Sequence, residues 1–206
     1  MPAPLEQFAN ALRLAAPGFG IEMDAVQIRK LTDYYDLLIK WNPRLHLVAP
    51  CSPKEFATRH VLESLMLLRH LPANASIVDI GSGGGLPMIP CLLVRDDLHA
   101  TLIESSSKKA VFLREALRPI RPSGRARIVI ERFEKVAAPN AGFVTCRALE
   151  KFAEMIPIII EWAPPSAIFL LFAGEKLRAE IESRFKSVVV ERLPQSEARF
   201  LVIGQV

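Results

Sequence analysis

The chain has 206 residues, half of them hydrophobic, with a formal net charge of +4 and a pI near 9.1. That length and hydrophobic content exclude global disorder and suit one well-filled core with a small appendage, while so mild a charge does not by itself demand a nucleic-acid partner. Cys51, Cys91 and Cys146 stand far apart and in no metal-like pair, which argues against a disulfide framework and a zinc site and fits a reducing cytoplasm.

The segment from Met1 to Asn10 carries Glu6 and lacks the basic flank and apolar core of a secretory signal. From Leu5 to about His70 the pattern is helical, with Ile28, Leu31, Tyr35 and Leu38 recurring at three- and four-residue steps after a cap at Asp24. Ser52-Pro53-Lys54-Glu55 places an N-cap serine, a proline at the first helical position and a glutamate at the third, so a helix is expected to start there and run towards Arg69. Residues 1–70 read as an N-terminal helical module and residues 71–206 as a second domain.

After Leu71-Pro72 the period changes to short Val, Ile and Leu runs alternating with amphipathic segments, the pattern of a buried parallel sheet with crossover helices. Strands are expected near 76–80, 100–104, 126–130, 142–146, 166–172, 186–192 and 198–204. Pro194-Gln195-Ser196-Glu197 leaves no room for a helix between the last two, so these should pair as an antiparallel hairpin. The most apolar stretch, Met155 to Ala173, is interrupted by Pro157, Glu161, Pro164 and Pro165, which argues against a membrane span.

The first strand runs into Asp79-Ile80-Gly81-Ser82-Gly83-Gly84-Gly85. Glycines 81, 83 and 85 let backbone pass close to a ligand and turn sharply into a helix near Pro87. Leu86 occupies the place where a dinucleotide fingerprint needs Gly or Ala, and no Gly-Lys-Ser/Thr of a P-loop follows. Asp79 instead suits a cationic or amine-bearing ligand. Glu104 closes the next strand 23 residues after Gly81, where a carboxylate can accept both ribose hydroxyls of an adenosine. Together these resemble the S-adenosyl-L-methionine pocket of Rossmann-like methyltransferases. Phe133-Glu134 follows the third strand, placing an aromatic ring and a carboxylate where adenine could be packed and read, and Arg147 ends the fourth, where its planar fork could clamp a carboxylate or phosphate. Lys108, Lys109, Arg114, Arg118, Arg121, Arg125, Arg127, Arg132 and Lys135 form a basic run, read either as a solvated face or as a polyanion-binding surface.

Asp79-Ile80-Gly81-Ser82-Gly83-Gly84-Gly85-Leu86-Pro87, Arg59-His60-Val61-Leu62-Glu63-Ser64-Leu65, Lys40-Trp41-Asn42, Arg132-Phe133-Glu134 and Cys146-Arg147-Ala148 resemble the GidB family, also called RsmG, over roughly residues 30 to 204. The resemblance implies an α/β, Rossmann-like seven-stranded S-adenosylmethionine-dependent methyltransferase fold with an N-terminal helical extension and strand order 3-2-1-4-5-7-6. It also implies methyl transfer to N7 of a guanine in 16S ribosomal RNA, by a cytoplasmic monomer acting on the RNA or on the small ribosomal subunit. By the same resemblance Gly81, Leu86, Phe133, Glu134 and Arg147 hold the donor, with Asp79, Ser82, Gly83, Gly85 and Glu104 completing its site. Arg59 and His60 contact RNA or position the target base, beside Arg147. No metal is implied.

The chain departs from the family pattern at Met88, where glycine is usual, at His46-Leu47-Val48, at Ser106-Ser107-Lys108-Lys109 and at Ala173-Gly174, where Lys-Gly is usual. Met88 is expected to narrow the approach to the loop, and Ala173 to remove a phosphate contact. One other reading stays open, an RNA- or ribosome-binding protein that keeps the fold with little or no catalysis, whereas cytosine C5 methylation is disfavoured because Cys91 falls within the helix after the glycine loop and Cys146 lacks a second catalytic cysteine in a Pro-Cys turn. An adenine amino-group methyltransferase is disfavoured because Cys146-Arg147-Ala148-Leu149 stands where an Asn/Asp-Pro-Pro-aromatic motif is needed.

Overall fold

The computed structural model describes residues 3–120, 124–147 and 151–206. Its strands are β1 (Ser76–Ile80), β2 (His99–Ile103), β3 (Ala126–Val129), β4 (Phe143–Cys146), β5 (Ile168–Gly174), β6 (Ser187–Arg192) and β7 (Arg199–Gln205), each within two residues of its expected position. They form one sheet in the order β3-β2-β1-β4-β5-β7-β6, as the resemblance implied. The first five run parallel, and β7 is antiparallel to both β5 and β6, which makes the expected terminal hairpin. Strand order reverses between β1 and β4, and in open α/β sheets a crevice for ligands opens at such a point beyond the carboxyl ends of the strands.

Alternation along β1 divides its side chains between two cores. Ile77 packs with the N-terminal helices α1 (Pro4–Ala15) and α2 (Ala25–Leu45), whereas Val78 and Ile80 pack on the opposite face, with Phe152, Ile156 and Ile159 of α7 (Phe152–Trp162). Asp79 shares the parity of Ile77 and so lies on the side of the N-terminal helices. Phe8, Leu31, Leu38, Phe56 and Leu62 belong to the same buried cluster as Ile77, Leu102 and Leu170. Phe8 stacks on Tyr35 at 4.3 Å between ring centroids, and Tyr35 meets Phe56 at 4.9 Å.

The cap at Asp24 is present and reciprocal: the Gln27 N–H donates to Asp24 Oδ1 at 2.7 Å, and the Asp24 N–H donates to Gln27 Oε1 at 2.9 Å. The helix expected from Pro53 starts as read, with the Glu55 N–H donating to Ser52 Oγ at 3.1 Å, but it is not one uniform helix. It runs through α3 (Pro53–Glu55), a wide π turn at Phe56–Leu62, α4 (Glu63–Leu65) and a tight 3₁₀ turn at Met66–His70. In the wide turn the Glu63 N–H donates to Thr58 O, five residues back, and the Arg59 carbonyl instead accepts from Arg147. A local capping pattern carries no sign of that distant arginine, so the expectation of a plain helix misses the turn. The remaining helices are α5 (Met88–Val94), α6 (Ser107–Ala116) and α8 (Glu175–Glu182).

Candidate active site

The glycine loop leaves β1 at the switch point. The Gly81 and Ser82 N–H groups both donate to Ile103 O of β2, at 2.9 and 3.1 Å, and the Gly85 N–H closes a turn onto Ser82 O at 2.6 Å. Gly81, Gly83 and Gly85 have φ of 69°, 52° and 82°, in the left-handed region that side chains disfavour. At Gly85 a Cβ would also lie 2.2 Å from Ile89 Cδ1, so the third glycine is demanded by space as well as by backbone angle.

Two groups brace this loop. The Glu104 carboxylate accepts the Gly83 N–H at 2.8 Å and the Ser106 N–H at 2.7 Å, tying the loop to the end of β2. Glu104 thus already engages backbone amides, and an ionised carboxylate has further lone-pair positions for hydroxyl groups. From the other side the Tyr34 hydroxyl of α2 donates to Gly84 O at 2.6 Å, and burial raises its pKa well above the ordinary value, so it stays a donor. Tyr34 was not singled out in the sequence, where it reads as one more apolar position of an amphipathic helix.

Asp79 is wholly buried, and among the described residues neither carboxylate oxygen has a hydrogen-bond partner. Burial drives its pKa up from an ordinary 3.8 to about 8. An isolated buried carboxylate is costly, and a cationic group beside it would remove the penalty. Ser82 is buried too, its hydroxyl donating to Asp79 O at 3.1 Å, and Leu86 packs in the core behind the loop. Met88 is fully buried in the same core and lines neither cavity described below, so it does not narrow the approach to the loop as expected.

A first cavity of about 420 Å³ lies over the carboxyl ends of β1, β2 and β3, lined by Ile80, Gly81, Ile103, Ser105, Phe133 and Glu134 among others. Phe133 is buried and meets Trp162 edge-on at 5.4 Å, which fixes its ring in the wall of the cavity. Glu134 accepts from Arg132 Nη2 at 2.8 Å, and that bond holds its carboxyl below the usual range. Glu131, Arg132, Lys151 and Met155 complete the lining, and Lys151 and Met155 did not stand out in the sequence.

A second cavity of about 350 Å³ opens beyond β4 and β5, walled by Arg59, His60, Glu63, Arg147, Phe172 and Arg199, with Ala173 at the end of β5 also in its lining. It brings together the three residues expected to act on the base. Arg147 is less exposed than its expected role as a substrate clamp requires: Nη2 donates to Arg59 O at 2.6 Å and Glu63 Oε2 at 3.1 Å, Nη1 to Ser64 Oγ at 3.3 Å and His60 O at 3.4 Å. Its guanidinium also lies 5.0 Å from the Phe172 ring centroid. The end that would grip a ligand instead joins β4 to the wide helical turn. Glu63, only 1% exposed, takes Arg147 on one oxygen and Arg199 Nε on the other at 2.8 Å. Burial raises the Glu63 pKa, against the opposing pull of the two arginines. Burial first, then Arg147, Arg59 and Arg199, lower the His60 pKa to about 3, so its imidazole is neutral at physiological pH.

Other readings are corrected by burial and pairing. Cys91 and Cys146 are fully buried, and the Cys91 thiol donates to Ser64 O at 3.3 Å with its pKa driven up by burial, which speaks against either as a nucleophile. Within the basic run, Lys108, Arg114 and Arg118 are exposed. Arg125 donates to the carbonyls of Arg95 and Leu98 and meets Asp96, and Arg127 donates to Thr101 Oγ1, so both serve the fold. Arg121, Ala148 and Leu149 lie outside the described residues. Among the described residues no cluster of metal-binding side chains is present, and no helix is long and apolar enough to cross a membrane.

Residues 27–205 match the family model described as GidB, rRNA small subunit methyltransferase G. The chain is 38% identical to a Ribosomal RNA small subunit methyltransferase G of Xanthomonas axonopodis pv. citri over 77% of this chain and 74% of that protein. It is likewise 38% identical to one of Sorangium cellulosum, over 86% and 75%. Its fold resembles a SAM dependent methyltransferase from Aquifex aeolicus with a TM-score of 0.55 at 11% identity, covering 73% of this chain and 92% of the other.

Proposed function

Since the chain belongs to the GidB family of rRNA small subunit methyltransferase G, S-adenosylmethionine-dependent enzymes that methylate a guanine of 16S ribosomal RNA, we propose that it modifies N7 and divides the task between its two cavities. The observation that carries the donor side is Asp79, a buried carboxylate without a partner beside three glycines that hold left-handed backbone. These residues fit a donor with a cationic amino acid end and an adenosine end. Asp79, Gly81, Ser82, Gly83, Gly85 and Leu86 would hold the first, and Glu104, Phe133 and Glu134 the second. When bound, the donor supplies an electrophilic methyl group on a sulfonium.

The second cavity is proposed for the guanine. N7 carries an in-plane lone pair and no proton, so its methylation needs alignment and charge balance rather than a strong base. The surroundings agree: His60 is neutral and partly buried, suited to hydrogen-bond a base edge, and Phe172 contributes apolar wall. Arg147 acts by holding the Arg59–Ser64 turn against β4, and so shapes the cavity. A cytoplasmic monomer meeting the small-subunit RNA is the corresponding proposal for setting and partner.

The test is methyl transfer by the purified protein to 16S RNA and to small subunits from cells lacking the enzyme, followed by strand cleavage chemistry specific for N7-methylguanosine. One cleaved guanine is expected. Methyl incorporation without cleavage, or at an exocyclic amine, would overturn the assignment to N7.

A further inference from the structure

Arg59, Arg147 and Arg199 converge on the second cavity, where Glu63 answers Arg147 and Arg199 and Glu55 answers Arg59. The three guanidiniums are not equivalent. Arg147 has a side chain only 13% exposed and both its Nη atoms bonded within the protein. Arg199 is 36% exposed, bonds Glu63 through Nε alone, and among the described residues leaves both Nη atoms without a partner. Among the described residues the Arg59 side chain, at 49% exposure, bonds only Glu55, through Nη1. Arg178, which stacks on Phe200 at 4.5 Å, is held by Glu175 and Glu182.

Anchoring a guanidinium through Nε leaves its two Nη groups as a planar fork, the shape that grips two oxygens of a phosphate. Both Glu63 oxygens are covered by guanidinium groups, which limits its repulsion of an incoming anion. There is also a need for negative charge: methylating N7 leaves the guanine ring cationic, and three arginines set against two carboxylates leave an excess of positive charge beside it that an anion entering with the base would balance.

We infer that Arg199, with Arg59, forms a subsite for a phosphodiester group of the RNA next to the target guanosine, and that Glu63 is the positioning residue that aims Arg199. The inference rests on the reading of this cavity as the guanine site. It differs from the donor's site, whose carboxylate is the other anion that Arg199 could take.

The test uses Arg199→Gln, Arg199→Lys and Arg59→Gln in the full chain. Each is measured for binding to a small-subunit RNA fragment across a salt series, for donor binding by calorimetry and for thermal melting. Each Gln variant should weaken RNA binding roughly tenfold and lower the steepness of log K against log salt by about one. Donor affinity should be unchanged, and Arg199→Lys should keep the salt slope. An unchanged slope in both Gln variants overturns the inference. A fall in donor affinity with an unchanged slope overturns it too, and assigns Arg199 to the donor's carboxylate. If Arg199→Gln melts early, the exposed Arg59→Gln decides alone by the same slope. Failure of the underlying reading looks different: the unsubstituted protein would transfer no methyl group to any small-subunit RNA.

Discussion

Asp79 shows how a single side chain can set the pH response of the whole protein. The folded chain retains a proton on Asp79 up to about pH 8, whereas the unfolded chain releases it near 3.8, so the folded state binds more protons between those values. Stability from this residue is therefore complete below about pH 3.8 and is lost as pH rises through about 8. Asp79→Asn removes that dependence, and its melting temperature should gain on the unsubstituted protein between about pH 5 and about pH 8.5. The same variant should bind the donor at least roughly tenfold more weakly by calorimetry, because an amide cannot balance a cationic amine. Gly85→Ala should cost about 2 kcal/mol in a urea titration and weaken donor binding, since it faces both a φ of 82° and a collision with Ile89. Residue spacing made Asp79 and the glycines legible, because their roles follow from neighbours a few positions away. Glu63 and Arg199 were not legible as a pair: 136 residues separate them, and no local pattern marks a bond made across the fold.

Among elements, α2 does more than cover the sheet. Its Tyr34 hydroxyl holds Gly84 O, and Leu38 lies 3.6 Å from where a Gly84 side chain would begin, so the helix backs the glycine loop directly. Tyr34→Phe should lower stability by about 1 kcal/mol in chemical denaturation. It should also raise the donor dissociation constant while leaving the melting transition single. The helix caps at Asp24 and Ser52, the strand positions and the terminal hairpin were readable because each depends on local periodicity and turn chemistry. The wide turn at Phe56–Leu62 was not, because it is completed by Arg147 from β4.

For the molecule as a whole, a modest net charge conceals an uneven surface. Arg125 is half-buried and engaged within the fold, whereas Arg127, which bonds Thr101, and Lys108 and Arg114 on α6 are exposed. Reversing Lys108 and Lys109 to Glu should weaken RNA binding and flatten its salt dependence without changing donor affinity. An unchanged salt slope would assign the two lysines to plain solvation. The sheet order also bears on synthesis of the chain. β7 is inserted between β5 and β6, although it follows both in the sequence, and among the described residues β6 pairs with no other strand. As a nascent polypeptide emerges, β5 must therefore wait with one flank unzipped and β6 with no docking place, until a single late segment closes both at once. Premature termination within Arg199–Gln205 would strand two sticky edges together, making shortened products targets for proteolysis or clumping rather than sluggish enzymes.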